Sequence, residues 1–374
     1  MAKVWIGAEN IVSPLGLTAG DNYAACLQNH SGIAAHEGIG LNGETLYVSR
    51  MKDVPSELPN TTSRILQMLY ASVKDALSQT NLELKNNKRV ALILSTTKGD
   101  IEALEQGSLD GAALSKLVED LGKLIGHEGE VSVLSNACIS GAAAIILAHD
   151  MVQTKRADHV IVTGADVVSR FTLTGFQSLH AISHEAARPF CKTRKGVSLG
   201  EAAASVIVSN DNSIFKGEAF DLLGGSTSND ANHISGPSRT GEGLYRAITK
   251  TLNRAGVSTA DIDFISAHGT GTLYNDDMES VAFNRAGLNQ VPLNSFKGYF
   301  GHTLGAAGVL EVALCMQTLR NNTMLKNMGM VEAGTVEQVN VLTEHISAPV
   351  KTILKTASGF GGCNAALLIQ NNNA

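Results

Sequence analysis

Three residues of this chain stand where a side chain could react. Cys138 follows a β-type run over 131–134 and the polar tripeptide Ser135-Asn136-Ala137, and it opens a helical pattern over 139–150. A helix start offers free N–H groups and the positive end of the dipole. Both favour thiolate over thiol and draw a cysteine pKa from about 8.5 toward neutrality, and the same N–H groups can hold an oxyanion. A buried structural thiol, the commonest fate of a free cysteine, fits that local pattern equally well. His268 lies in Ala267-His268-Gly269-Thr270-Gly271-Thr272, directly after a buried-type strand, at the edge where parallel sheets present residues to a ligand crevice. His302 stands in a run from Gly301 to Gly308 at another helix start, where the dipole disfavours imidazolium and leaves a neutral ring able to donate to a negative oxygen. Either histidine alone fits a structural role as readily as catalysis. A thiol and two imidazoles, all at strand or helix ends, favour chemistry, and the remaining nine histidines read as solvated or structural.

Two charged residues accompany them. Lys297 precedes His302 by five residues and Glu279 follows His268 by eleven, so the two loops could bring them together as an ion pair that orients the rings; as separate surface charges they would contribute nothing. The segment Ser358-Gly359-Phe360-Gly361-Gly362-Cys363-Asn364 is a glycine-dense turn between two strands. It reads either as a source of oxyanion-binding N–H groups or as a plain hairpin.

The elements that must position these residues have α/β texture. Strands are expected over 89–95, 159–163, 203–208, 262–266, 352–356 and 365–370, and helices over 65–78, 243–254 and 306–319. Three segments recur in the same order: 138–148 resembles 302–312, 199–208 resembles 360–369, and 89–97 resembles 263–271. The recurrence predicts a duplicated α/β unit with halves 1–214 and 215–374 packed about a pseudo-twofold axis, so that two helix N-termini converge on one pocket. The alternative is that small-residue helices merely look alike.

Composition excludes several other classes. Of 374 residues, 44% are hydrophobic and 17% charged, too apolar for disorder; net charge is −6, and aromatics are only 5%, so a nucleic-acid stacking platform is not expected. No apolar run approaches the roughly 20 residues of a membrane helix, and a cytoplasmic, membrane-free location is expected. Five cysteines without paired spacing exclude a disulfide framework or a zinc ribbon, and no metal is expected.

Taken together, the motifs resemble the beta-ketoacyl-acyl-carrier-protein synthases, condensing enzymes of the thiolase fold. The likeness spans nearly the whole chain: Asn136 to Gly141 around Cys138, Arg188-Pro189-Phe190, the segment from Ser228 to His233, His268 to Thr272, Asp276, Glu279, Lys297, Gly301 to Gly308, Glu311, and Gly359 to Gly362 with Asn364. The resemblance implies a layered αβαβα fold and a decarboxylating condensation. Cys138 would carry an acyl group, and the N–H groups of Cys138 and Phe360 would form the oxyanion hole. His268 and His302 would donate to a malonyl thioester as carbon dioxide leaves. Lys297 and Glu279 would support them, Thr270 and Thr272 would contact the phosphopantetheine arm, and Phe360 would gate the pocket. Asn364 and Lys98 complete the substrate-binding set. No further cofactor is implied, substrates riding on acyl carrier protein, and the chain would form a homodimer or a heterodimer with a related ketosynthase subunit.

Some positions depart from the family pattern. The capping region over 100–118 is short, Lys98 stands where an apolar or small gate residue is usual, Cys363 replaces a threonine, and Cys191 and Lys195 replace acidic residues. The cluster Lys192, Arg194 and Lys195 could meet an acidic carrier protein or simply be solvated. Competing readings are a non-catalytic chain-length-factor-like partner subunit, against which the intact Cys138, His268 and His302 argue, and a thiolase using Cys363 as a second cysteine. His302 itself argues against a histidine–asparagine variant.

Overall fold

The computed structural model describes residues 3–54, 57–230 and 236–372; residues 231–233 of the Ser228–His233 motif lie outside the described residues. Ten strands form the main sheet: β1 (Trp5–Val12), β2 (Val90–Ser95), β3 (Glu130–Leu134), β4 (His159–Asp166), β5 (Ala202–Ser209), β6 (Phe220–Asn229), β7 (Phe264–Ser266), β8 (Leu293–Asn294), β9 (Thr352–Gly359) and β10 (Cys363–Gln370). Their spatial order is β8-β7-β9-β10-β6-β1-β5-β4-β2-β3. Read outward from the β1–β6 junction, the first set runs β1-β5-β4-β2-β3 and the second β6-β10-β9-β7-β8. The second order is the first with five added to every number. The directions repeat too: β1/β5 and β5/β4 are antiparallel while β4/β2 and β2/β3 are parallel, and the second set matches. The three segment pairs matched in the sequence fall at equivalent places: β2 with β7, β5 with β10, and the helices that follow β3 and β8.

The strands are near-continuous apolar runs because both faces are covered. Outside the first set pack α1 (Arg64–Ser78) and α2 (Leu114–Leu124); outside the second, α4 (Glu242–Ala255) lies on β6 and β10 and is flanked by α5 (Leu273–Arg285). Between the two sets lie α3 (Ser140–Gln153) and α6 (Ala307–Asn321), which touch each other and strands of both sets. This is the five-layer αβαβα arrangement, with the apolar core on either side of the central helices. The sheet sets themselves barely meet, since β1 pairs with β6 at only two positions, Trp5↔Asp221 and Ile6↔Phe220.

The central helices therefore join the halves, and their sequences allow a very close approach. A Cβ on Gly141 would sit 2.7 Å from the Val309 nitrogen, and one on Gly308 would sit 2.1 Å from the Ala142 nitrogen. Only hydrogen fits at either place. Among the described residues, no helix is long and apolar enough to cross a membrane. The short cap expected over 100–118 comprises a helix at Ile101–Glu105, whose N-terminus is capped by Asp100, followed by the start of α2. Because the neighbours at Gly308 are backbone atoms that cannot swing aside, Gly308→Ala should destabilise the protein by about 3 kcal/mol, the upper range for overpacking. A thermal melt unchanged in that variant would contradict the contact.

Candidate active site

Cys138 lies four residues past β3, and its loop is held in a sharp turn. Ala137 has φ +44°, Ser140 Oγ donates to the Ala137 carbonyl at 2.6 Å, and the Asn136 N–H donates to Ser140 Oγ at 2.8 Å. The β9–β10 hairpin closes over the loop from the other half. A Cβ on Gly359 would lie 3.0 Å from the Cys138 nitrogen, and the Phe360 N–H hydrogen-bonds the Cys138 sulfur. The glycine-dense tail is thus both a hairpin and a donor to the thiol. Burial nevertheless pushes the Cys138 thiol above its ordinary range, more than the charges of Lys297 and Lys98 and the Phe360 N–H draw it down. This corrects the expectation of a pKa near neutrality. The sulfur is buried and loses its hydration.

His268 and His302 come together beside that sulfur. Their ring centroids are 5.2 Å apart with planes at 82°, and one ring nitrogen of each and the Cys138 sulfur all lie within 4.8 Å of one another. The partners of each ring assign its tautomer. Lys297 Nζ faces His268 Nδ1 at 3.2 Å, and the Leu304 N–H donates to His302 Nδ1 at 3.2 Å. Both Nδ1 atoms accept, so both protons sit on Nε2. His302 Nε2 is buried and has no partner among the described residues. Burial, then the charge of Lys297, pushes both rings well below the ordinary histidine range, with Lys355 adding to each. The same three atoms have the spacing of a metal ligand set. The Lys297 ammonium at 3.2 Å and the further lysine charges acting on the rings oppose a dication there.

The expected Lys297–Glu279 ion pair does not form. Lys297 Nζ donates to Glu311 Oε1 at 2.7 Å and to the His268 carbonyl at 2.6 Å, and Glu311 also pairs with the buried Lys355 at 2.7 Å. Glu279 instead accepts the N–H groups of His268 at 2.8 Å and Gly269 at 2.6 Å, which fixes the backbone carrying the ring. Burial, with Asp276 beside it, raises Glu279 to about 7. Sequence reasoning assigned no role to Glu311 and missed Lys355. A lysine inside the apolar run Ile353-Leu354-Lys355-Thr356 was the available signal.

These groups open into a cavity of about 530 Å³ lined by Cys138, His268, His302, Thr270, Thr272, Phe360 and Asn364, with apolar walls from Phe176 and Met278. The Thr270 and Thr272 hydroxyls are 2.9 Å apart, and Asp276 holds their loop by accepting the Thr270 N–H at 2.9 Å. Phe360 is 37% exposed and stacks on Phe176, a partner the sequence did not reveal, with centroids 5.6 Å apart. Asn364 accepts from Ser358 Oγ at 2.8 Å and steadies the hairpin. Lys98 is half-buried and does not line this cavity. Nor does Cys363, whose sulfur faces the Phe360 carbonyl at 3.3 Å and whose thiol burial pushes up to about 12. Of the basic cluster, Lys192 and Lys195 are exposed and pair with Glu332 and Glu185, as the solvated reading expects, while Arg194 is buried against Asp277 at 2.7 Å and Asp276 at 3.7 Å. Cys191 is enclosed in the same loop. Burial opposes ionisation there, but donors from Glu332, Thr193 and Val331 outweigh it and bring the thiol to about 7.

Comparison with known proteins places this arrangement. The beta-ketoacyl synthase N-terminal domain model matches residues 49–213, and the C-terminal domain model matches residues 221–330. This chain belongs to the beta-ketoacyl synthase family. It is similar to the 3-oxoacyl-[acyl-carrier-protein] synthase 2 of Rhizobium meliloti, 33% identical over 63% of this chain and 59% of that protein. It is also similar to the tetracenomycin polyketide synthase ketoacyl synthase alpha subunit of Streptomyces glaucescens, 28% identical over 83% of this chain and 82% of that one. Among solved structures, a ketosynthase in complex with its chain length factor from Xenorhabdus doucetiae superposes with TM-score 0.89 and 27% identity over 99% of this chain and 98% of that one.

The lowered histidine pKa values have a direct readout. A ring whose charged form is disfavoured stays neutral until the pH falls well below the ordinary value near 6.5, so both rings keep their Nε2–H throughout pH 6–8. Histidine resonances of 268 and 302, assigned by comparing the His268→Gln and His302→Gln variants, should show no titration between pH 8 and 6. An inflection near 6.5 for either would contradict the assignment.

Proposed function

We propose that this chain is a condensing enzyme that joins an acyl group, carried on Cys138, to a malonyl thioester with loss of carbon dioxide. One observation carries the reading: a thiol and two neutral imidazoles converge within 4.8 Å in a cavity with an apolar wall, and the His302 Nε2–H is buried with no partner among the described residues. The halves 1–214 and 215–374 each contribute, the first the sulfur and the second the rings.

In the first half-reaction Cys138 attacks an acyl thioester. The new bond joins its sulfur to the acyl carbon, the donor's carbon–sulfur bond breaks, and the Cys138 proton leaves with the departing thiol. The Cys138 and Phe360 N–H groups support the oxyanion between these events. Starting from a protonated thiol suits this sequence, because no thiolate has to survive in a dry pocket. In the second half-reaction the malonyl thioester oxygen accepts from His268 and His302. The bond to the carboxylate carbon breaks, and its electron pair moves into an enolate held by the two donors. Carbon dioxide leaves, the enolate carbon attacks the acyl carbon, and the Cys138 sulfur departs as a thiolate that takes up one proton from solvent, the proton this decarboxylating step consumes overall. Neutral rings serve here as donors to a developing charge without having to give up a proton.

Acyl carrier protein is the proposed bearer of both substrates, and its phosphopantetheine arm would run along Thr270 and Thr272. The names of the carrier-protein synthase relatives support this, and the family resemblance supplies the threonine contact. A related ketosynthase-fold chain is the proposed partner, supported by the Xenorhabdus complex. The product would enter fatty acid or polyketide synthesis.

Incubation with an acyl-carrier thioester should add one acyl mass at Cys138, and Cys138→Ala should abolish it; an unmodified wild-type protein across varied donors would sink the proposal. His302→Ala should slow malonyl decarboxylation about 100- to 1000-fold, the scale of losing one oxyanion donor. Acyl transfer should fall far less, and equal loss of both half-reactions would refute the assigned role.

A further inference from the structure

A buried charge lies one step behind the histidines. Lys355 stands in the middle of β9, in register with Ser266 of β7 on one side and Leu367 of β10 on the other. Its neighbours Ile353 and Leu354 are fully buried, and so is Lys355 itself. An apolar side chain would suit this place in a doubly covered sheet, since exchanging buried ionic groups for apolar ones of similar volume is often neutral or stabilising. Packing therefore gives no reason for a lysine here, and its charge has to be accounted for.

The contacts show where that charge is directed. Lys355 Nζ lies 2.7 Å from Glu311 Oε2 on α6, and it donates to the Ser266 carbonyl at 3.2 Å and to the Thr356 carbonyl. Glu311 Oε1 is taken by Lys297, which in turn faces His268 Nδ1 at 3.2 Å. Contacts thus run without a break from Lys355 through Glu311 and Lys297 to the His268 ring, tying β9 and α6 to the turn after β7.

Two ammoniums share one carboxylate. The other carboxylates around the rings are committed elsewhere: Glu279 to the His268 and Gly269 N–H groups and the Asn275 amide, Asp276 to Arg194 and the Phe190 and Thr270 N–H groups, Asp166 to the Thr97 and Gly305 N–H groups. Cys315, a thiol on α6 that feels the Lys355 charge, is kept neutral by burial, which pushes it up to about 12. One positive charge behind the rings is therefore unmatched until an anion forms. The first half-reaction sets its oxyanion on the Cys138 and Phe360 N–H groups. The second sets an enolate oxygen on His268 and His302, where the line of contacts from Lys355 ends. A charge in place beforehand and matched only in the transition state is what electrostatic stabilisation requires.

We propose that Lys355 is a positioning residue for the decarboxylating half-reaction: by holding the second oxygen of Glu311 it keeps that carboxylate from neutralising Lys297, so that the Lys297 charge stays directed at His268 while the enolate forms. This rests on His268 being an enolate donor, as the proposed function has it. The test compares wild type, Lys355→Met and Lys355→Gln in two assays on the full chain: release of carbon dioxide from malonyl-pantetheine, and acylation of the Cys138 peptide by butyryl-pantetheine, followed by mass spectrometry. Methionine removes the charge, and glutamine removes it while keeping donors for the Ser266 carbonyl. Both variants should lower kcat for decarboxylation about tenfold with KM unchanged, the scale of one unit charge acting over several ångströms inside a protein, while acylation changes little.

The pH profile is a readout that a packing role would not move. Burial pushes the Lys297 ammonium below its ordinary range; Glu311 opposes this, Lys355 adds to it, and Glu279 opposes it too. Wild-type decarboxylation should fall on the alkaline side at a lower pH than in either variant, where Lys297 has Glu311 to itself; this limb is read well above the titration of Glu279 at about 7. Unchanged decarboxylation in both variants, equal loss of both half-reactions, loss in Lys355→Met alone, or an alkaline limb that does not move overturns this inference and leaves the acylation of Cys138 standing. Should neither variant fold, the wild-type limb decides alone, and a rate that does not fall below the ordinary lysine value near 10.4 overturns the inference. A wild-type protein that neither releases carbon dioxide nor takes an acyl group on Cys138 overturns the underlying reading and this inference with it.

Discussion

The constraint on which the site depends is the backbone contact between α3 and α6. Gly141 and Gly308 each stand where the other helix's main chain leaves no space for a side chain, so the two helices meet near their N-terminal ends. Those ends lead back to Cys138 and to His302. Separating the helices by the width of one methyl group would move sulfur and ring apart by a comparable distance, enough to spoil donor geometry that tolerates only a few tenths of an ångström. The sheet sets, joined at two residue pairs, cannot enforce that spacing themselves.

Electrostatics then does what geometry allows. Burial alone disfavours charge on Cys138, His268 and His302, and Lys297 and Lys355 add a positive field that further discourages imidazolium. Glu311 makes that field tolerable by accepting an ion pair from each lysine, so the buried cations do not face one another uncompensated. The result is a pocket that is neutral at its reacting groups and positive behind them. A forming oxyanion or enolate is what such a pocket stabilises.

Much of this was legible in the sequence, for identifiable reasons. The strands read as strands because a doubly covered parallel sheet demands unbroken apolar runs, and the repeat was visible because close-packed central helices demand small residues at matching places. β1 and β6, which form the junction, were not anticipated. β1 carries buried Glu9 and Asn10 and a register break between Gly7 and Asn10, and β6 carries Gly224-Gly225 followed by Ser and Thr, so neither shows a clean alternation. The site residues Cys138, His268 and His302 could be named from their places at element ends. Their charge environment could not, because it depends on contacts between distant segments: Glu311 rather than Glu279 meets Lys297, Arg194 turns inward, and desolvation outweighs the lysine charges at the thiol.

The repeated strand order has a consequence for how this chemistry could arise. At each pair of topologically equivalent places the two copies now hold different functional groups: sulfur after β3 against imidazole after β8, ammonium after β2 against imidazole after β7. A symmetric ancestor would have presented matched groups across the axis, a poor arrangement for joining two unlike fragments. Divergence between the copies lets one scaffold present unlike groups, a thiol from one half and two imidazoles from the other, to a single cavity.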